Sequence, residues 1–247
     1  MQNAAGAVLN TGTIDVSAAE PGAAQGQVTL SGQLAGVSGT ILARGADGAP
    51  GGRVLITSSD KTVLTSAGLI DTSGVGNGSA GTVVVWSDKG TIFRGTILAR
   101  GGTLGGDGGR VEVSGHENLN FFGRVDTLAP NGSIGTLLLD PKNITVATGG
   151  TGLLADGDQF SDMPSTDVTM DPATINSAAA HVTLQADNDI AVTSAIAMRP
   201  SGLHHSVDLQ RKGRSGTRSG FRYAFASDAS FLAMTALLAF SNAVATA

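Results

Sequence analysis

Side chains able to do chemistry are sparse in this chain, and their spacing forms no familiar catalytic set. The four histidines are His116, in a turn beside Glu117, His181, opening a strand, and the adjacent pair His204-His205. Adjacent residues lack the i, i+4 geometry with which a helix holds a metal between two imidazoles. No Gly-x-Ser-x-Gly elbow occurs, and no serine has a His and Asp series to activate it. The aspartates are more suggestive. Asp15, Asp71 and Asp126 recur between two apolar positions of one repeated element, so strand alternation places them along one outer face. A carboxylate row of that kind would suit polysaccharide cleavage by acid–base chemistry. The intervening copies carry Leu42 and Leu98 at the same point, which interrupts the row and favours a solvated polar face. Asp47, Asn77, Asp107 and Asn131 lie in glycine-rich turns where stacked carboxylates would suit calcium. They stand 5, 4, 2 and 4 residues before the next strand glycine, so their register varies, and local turn hydrogen bonds account for them. Gly101-Gly102-Thr103-Leu104-Gly105-Gly106 resembles a phosphate cradle only in its glycines, since no Lys-Ser/Thr and no helix follow. Trp86 and Phe93 are expected on the surface, where either ring would offer a platform for a sugar. No catalytic, cofactor-binding or metal-binding residue is assigned on this evidence.

The elements that must position these side chains emerge from internal repetition. One series reads Gly26-Gln27-Val28-Thr29-Leu30, Gly52-Arg53-Val54-Leu55-Ile56, Gly81-Thr82-Val83-Val84-Val85, Gly109-Arg110-Val111-Glu112-Val113 and Gly135-Thr136-Leu137-Leu138-Leu139. A second interleaves with it, from Gly12-Thr13-Ile14-Asp15-Val16 through Gly39-Thr40-Ile41, Gly68-Leu69-Ile70 and Gly95-Thr96-Ile97 to Gly123-Arg124-Val125. Both recur every 26 to 29 residues. A weaker third element aligns Val63-Leu64-Thr65, Ile92-Phe93-Arg94 and Leu119-Asn120-Phe121. Three short period-2 strands and three turns per ~27 residues describe one rung of a right-handed parallel β-helix. A propeller blade needs ~40–50 residues and four strands, so the period excludes it. Val28, Val54, Val83, Val111 and Leu137 should stack as one internal ladder, and Ile14, Ile41, Ile70, Ile97 and Val125 as another. Glycine should serve the corners, by positive φ and by allowing close backbone approach.

Composition agrees. Glycine contributes 36 of 247 residues, charged residues only 14%, aromatics 4%, and cysteine none. Coiled coils, helical bundles, disulfide scaffolds and cysteine-ligated metal sites are thereby disfavoured. The net charge of −5 speaks against general nucleic-acid binding. No apolar run is long enough to span a bilayer, and Met1–Gly6 lacks the basic and apolar zones of an export signal.

The regular rungs occupy 6–139. Residues 140–181 read as a decorated rung with a loop and a short helix at Pro172–Ala180, capped by Asp171. Residues 182–198 resume the strands. Residues 199–247 carry six basic and two acidic side chains and five of the ten aromatics, so this tail is expected to lie outside the repeat. It reads either as a capping helix at 229–240 or, the favoured reading, as unselected sequence after a frame shift near Met198.

The stretch Gly108-Gly109-Arg110-Val111-Glu112-Val113-Ser114-Gly115, with Leu119-Asn120-Phe121, Gly123-Arg124-Val125-Asp126-Thr127 and Gly135-Thr136-Leu137-Leu138-Leu139-Asp140-Pro141-Lys142-Asn143-Ile144-Thr145, resembles the exoproteins of two-partner secretion, the filamentous-haemagglutinin-like family of Gram-negative bacteria. Asp171-Pro172-Ala173-Thr174-Ile175-Asn176, Val182–Ala186 and Asn188–Ile190 resemble the continuation of such chains, and the likeness covers roughly 6–197. It implies a β-helical shaft, exported through an outer-membrane partner barrel, that meets a receptor or glycan on another cell. Such proteins begin with a signal peptide and a secretion domain, so this chain by itself is expected to stay cytoplasmic. The expected function is structural and adhesive, not enzymatic. A polysaccharide-degrading enzyme using outward carboxylates is the alternative.

Overall fold

Alternation of β-branched residues with polar ones, broken every few residues by glycine, asparagine or proline, leaves short strands that cannot bury an apolar face alone. Burial comes from stacking. The computed structural model describes residues 2–149, 168–197, 205–212 and 218–224. It is all-β, 3% helical, with parallel sheets stacked as a β-solenoid of about six turns.

The first face stacks Gln2–Asn10, Gln27–Val37, Arg53–Leu64, Thr82–Ser87, Arg110–Gly115, Thr136–Leu139 and His181–Ala186, all parallel. Its expected ladder forms in register, Val28 on Val54, Val83, Val111 and Leu137, and continues into Val182. The third face stacks Thr13–Asp15, Thr40–Leu42, Leu69–Asp71, Thr96–Leu98 and Arg124–Asp126, which sets the Ile14, Ile41, Ile70, Ile97, Val125 ladder against the first.

Glycine's two expected duties are both met, mostly by different residues. The strand-leading glycines are needed for close stacking. A Cβ on Gly81 would sit 1.9 Å from the carbonyl oxygen of Gly52, and one on Gly109 2.2 Å from that of Gly81. Among the described residues positive φ occurs at Gly22, Gly48, Gly76, Gly106 and Gly149, and Gly106 also meets the backbone of the rung below, 2.3 Å from the Gly78 oxygen for an added Cβ.

The second face, which stacks the 61–64 end of Arg53–Leu64 on Gly90–Phe93 and Asn118–Phe121, departs from expectation in two ways. Ile92 pairs with Asn120, not Leu119, because Phe93 aligns with Phe121. Their rings stack at 5.0 Å between centroids, an interior gain that outweighs the apolar match of Ile92 to Leu119. Phe93 is therefore 0% exposed, which corrects its expected place on the surface. Further along, the strands leave chain order. Ile144–Val146 lies between Val168–Met170 and Ile190–Val192, so strands that follow it in the chain stack on both of its edges. The short helix is present but ends at Asn176, with Asp171 Oδ1 accepting from Ala173 N at 2.8 Å. Ala179 then closes the third face over Asp126.

The boundary expected at 198 is also corrected. Ser206–Lys212 adds another parallel strand to the first face, with Val207 on Val182 and Leu209 on Leu184, and Arg218–Ala224 folds back antiparallel on it. Val207 is buried in the common core. The capping helix considered at 229–240 lies outside the described residues.

Candidate functional site

Two surface regions gather polar side chains. At the corner leaving the third face, register sets Asp15, Leu42, Asp71, Leu98 and Asp126 in one column. Two residues on, Ser17, Arg44, Ser73, Arg100 and Leu128 form a second column through rung-to-rung backbone hydrogen bonds. Each aspartate makes the same tight turn: Oδ1 accepts from the backbone N of Ser17, Ser73 and Leu128, at 2.9, 2.9 and 3.1 Å respectively. Each arginine reaches from its own rung to an aspartate on the next. Arg44 Nε lies 3.7 Å from Asp71 Oδ2, and Arg100 donates to Asp126 Oδ2, which Arg124 also approaches at 3.8 Å.

Charge therefore alternates up the stack. Identical carboxylates on adjacent rungs, ~4.8 Å apart, would repel; an arginine rung between them converts repulsion into attraction. Hydrogen bonding to Asp126 pushes the Arg100 guanidinium above its usual value, and the Ser17 amide holds the Asp15 carboxyl below its own. The carboxylates expected on a solvated row are in part buried: Asp71 is 8% exposed and Asp126 1%. Their oxygens are occupied by amides and guanidinium groups, so this corner ties rungs together. Sequence reasoning missed the arginines, although a signal existed. Thr40-Ile41-Leu42-Ala43-Arg44-Gly45 recurs verbatim as Thr96-Ile97-Leu98-Ala99-Arg100-Gly101.

The second region lies where the first face turns into the second. Trp86 is half-buried there, and its Nε1 donates to Asp88 Oδ1 at 3.1 Å. The His116 ring stands edge-on to the indole, 6.4 Å between centroids at 78°. His116 Nε2 lies 3.6 Å from Asp187 Oδ2. Nothing in the spacing of Trp86, His116 and Asp187 announces this meeting; the turn after His181–Ala186 brings Asp187 to His116.

The remaining candidates stay apart. Asp47 Oδ1 accepts from Asn77 N at 3.1 Å and Asp107 Oδ1 from Ser133 N at 2.8 Å, while Asn131 Nδ2 donates to Thr103 O at 2.8 Å. Each lashes its turn to the adjoining rung, and no group of three metal-ligating side chains forms among the described residues. The glycine turn at 101–106 presents no cradle, because Gly102, Leu104 and Gly105 donate to carbonyls of the rung below. His181 Nδ1 accepts from Ser206 N at 3.1 Å, and His205 Nδ1 lies 3.3 Å from Ala180 O, so both sit at a rung seam. His204 lies outside the described residues.

Fold and surface together define the class: a parallel β-solenoid whose polar side chains bind rung to rung. Compared with models of protein families and with curated proteins, the chain matches none.

Proposed function

We propose that this chain is a structural and adhesive shaft segment of a secreted or surface-displayed bacterial exoprotein, of the filamentous-haemagglutinin-like kind that its repeats resemble. The observation that carries the reading is the continuous stacking of the first face, from Gln2–Asn10 to Ser206–Lys212. A stack of parallel strands at ~4.8 Å per rung makes a stiff rod, and its outer side chains form a long surface for contact. Export through an outer-membrane barrel belongs to the same proposal, as does a receptor or glycan on the facing cell. The competing reading, cleavage of an acidic polysaccharide, needs carboxylates free to exchange protons; Asp71 and Asp126 are held by amides and guanidinium groups instead.

The test couples the full chain to beads and measures their retention on cell monolayers against beads carrying an unrelated β-solenoid. Retention above that control is expected. Equal retention, or turnover of acidic polysaccharides by the purified chain, would overturn the proposal.

A further inference from the structure

We infer that the corner built by Trp86, Asp88, His116 and Asp187 is a carbohydrate-binding subsite for a neutral pyranose, which names a ligand class for the adhesive surface proposed above and rests on that reading. Trp86 is the chain's one tryptophan. Alternation from the buried Val85 points it away from the core, yet it is held in place. Its Nε1 is bonded to Asp88, and the His116 ring meets it edge-on. Ser114, its ladder partner on the next rung, also points outward from Val113 yet is 0% exposed and donates to Glu112 Oε1 at 3.2 Å. Trp86 itself is half-buried, so part of its indole stays open to solvent.

A flat aromatic face with hydrogen-bonding groups at its rim matches the amphipathic faces of a pyranose. The axial C–H bonds rest on the indole, and a hydroxyl donates to the carboxylate of Asp88, which the indole N–H holds in place. His116 supplies a second polar group, fixed by Asp187 at 3.6 Å. Asp88 beside the indole and Asp187 beside His116, on a chain of net charge −5, select against an acidic sugar. Pre-orientation of the ring lowers the entropic cost of binding, and one platform with few hydrogen bonds gives millimolar affinity.

The single indole makes the test direct. Methyl β-glucoside, methyl β-galactoside, N,N′-diacetylchitobiose and glucuronic acid are titrated into the full chain while the indole N–H resonance is followed. A saturable shift with at least one neutral sugar, at a midpoint of roughly 1–20 mM, and a response at least tenfold weaker to glucuronic acid are expected. Saturation-transfer signals on the bound sugar should vanish in Trp86→Ala, persist at reduced strength in Trp86→Phe, and fall several-fold in Asp187→Asn. Circular dichroism of each variant checks that the β-stack survives. No shift with any neutral sugar at 50 mM, or an undiminished sugar signal from folded Trp86→Ala, overturns the subsite. Bead retention on cells that is unchanged in Trp86→Ala would overturn the subsite as the adhesive contact while leaving the shaft reading intact.

Discussion

Arg100 and Arg44 occupy equivalent places two rungs apart, and their partners differ in depth. Both arginines keep about half of their side chains in solvent, but Arg100 hydrogen-bonds Asp126, which is 1% exposed, whereas Arg44 stands 3.7 Å from Asp71, which is 8% exposed. Removing a cation that hydrogen-bonds an enclosed carboxylate leaves a poorly compensated charge; removing one that stands beyond hydrogen-bond reach of a less enclosed carboxylate costs less. Arg100→Leu is therefore expected to lower stability by about 1–2 kcal/mol, and Arg44→Leu by about 0–1 kcal/mol. Urea unfolding monitored by circular dichroism checks the order, and equal losses would contradict the grading by burial. At this scale the sequence was legible for residue type and illegible for environment. Alternation alone sends Asp15, Asp71 and Asp126 outward, but the turn that follows folds each carboxylate back onto the amide two residues on. Phe93 misleads for a related reason: only the register with Phe121 reveals that its ring is interior.

Single rungs are specified most strongly by the glycine that opens each first-face strand. Gly81→Ala drives a methyl group into the Gly52 carbonyl, whereas a Cβ on Gly12 meets nothing within 4 Å. Gly81→Ala is accordingly expected to lower the thermal midpoint sharply, and Gly12→Ala to leave it unchanged within a degree or two. Differential scanning calorimetry of the two variants distinguishes them; comparable midpoints would mean that the rungs are not held at the close approach described. The glycine-led strands were readable because every rung repeats the same steric demand. The second-face register was not, since Leu119 matches Ile92 in hydrophobicity and only the aromatic stack breaks the tie. Nor does any local pattern show Ile144–Val146 stacking above a strand that follows it in the chain. Order along the stack is decided by which exposed edge the returning chain meets, and that edge is a property of the assembled solenoid.

For the whole molecule, the addition of Ser206–Lys212 and Arg218–Ala224 changes what truncation should do. Ending the chain at 198 strips His181–Ala186 of its parallel neighbour, uncovers Val182 and Leu184, and leaves an unpaired strand edge. The 1–198 chain is expected to melt several degrees lower than the full chain and to associate at concentrations where the full chain does not. Thermal melts and light scattering measure both effects, and an unchanged midpoint in a monomeric 1–198 chain would show that the added strands contribute nothing. A signal for this rung was available in Ser206-Val207-Asp208-Leu209-Gln210, which alternates correctly. It was masked by the change in charge sign and by the missing strand-leading glycine. Composition reports on averages, and a single rung without its usual punctuation is lost in them.

Alternating Asp and Arg rungs constrain how the solenoid can lengthen or shorten. Such a stack has parity. Removing residues 40–68 joins Gly39 to Leu69 and sets the Asp15 rung directly against the Asp71 rung, carboxylate on carboxylate with no guanidinium between. Removing 40–95 joins Gly39 to Thr96 instead, and the copy of the Thr40–Gly45 hexapeptide takes the place of the original with Arg100 facing Asp15. The larger deletion is expected to give the more stable protein, by an ordering that calorimetry can read and that a simple loss of core would reverse. If the ordering holds, the inheritable unit of this solenoid is the pair of rungs, and lineages that gain or lose length should do so in even steps.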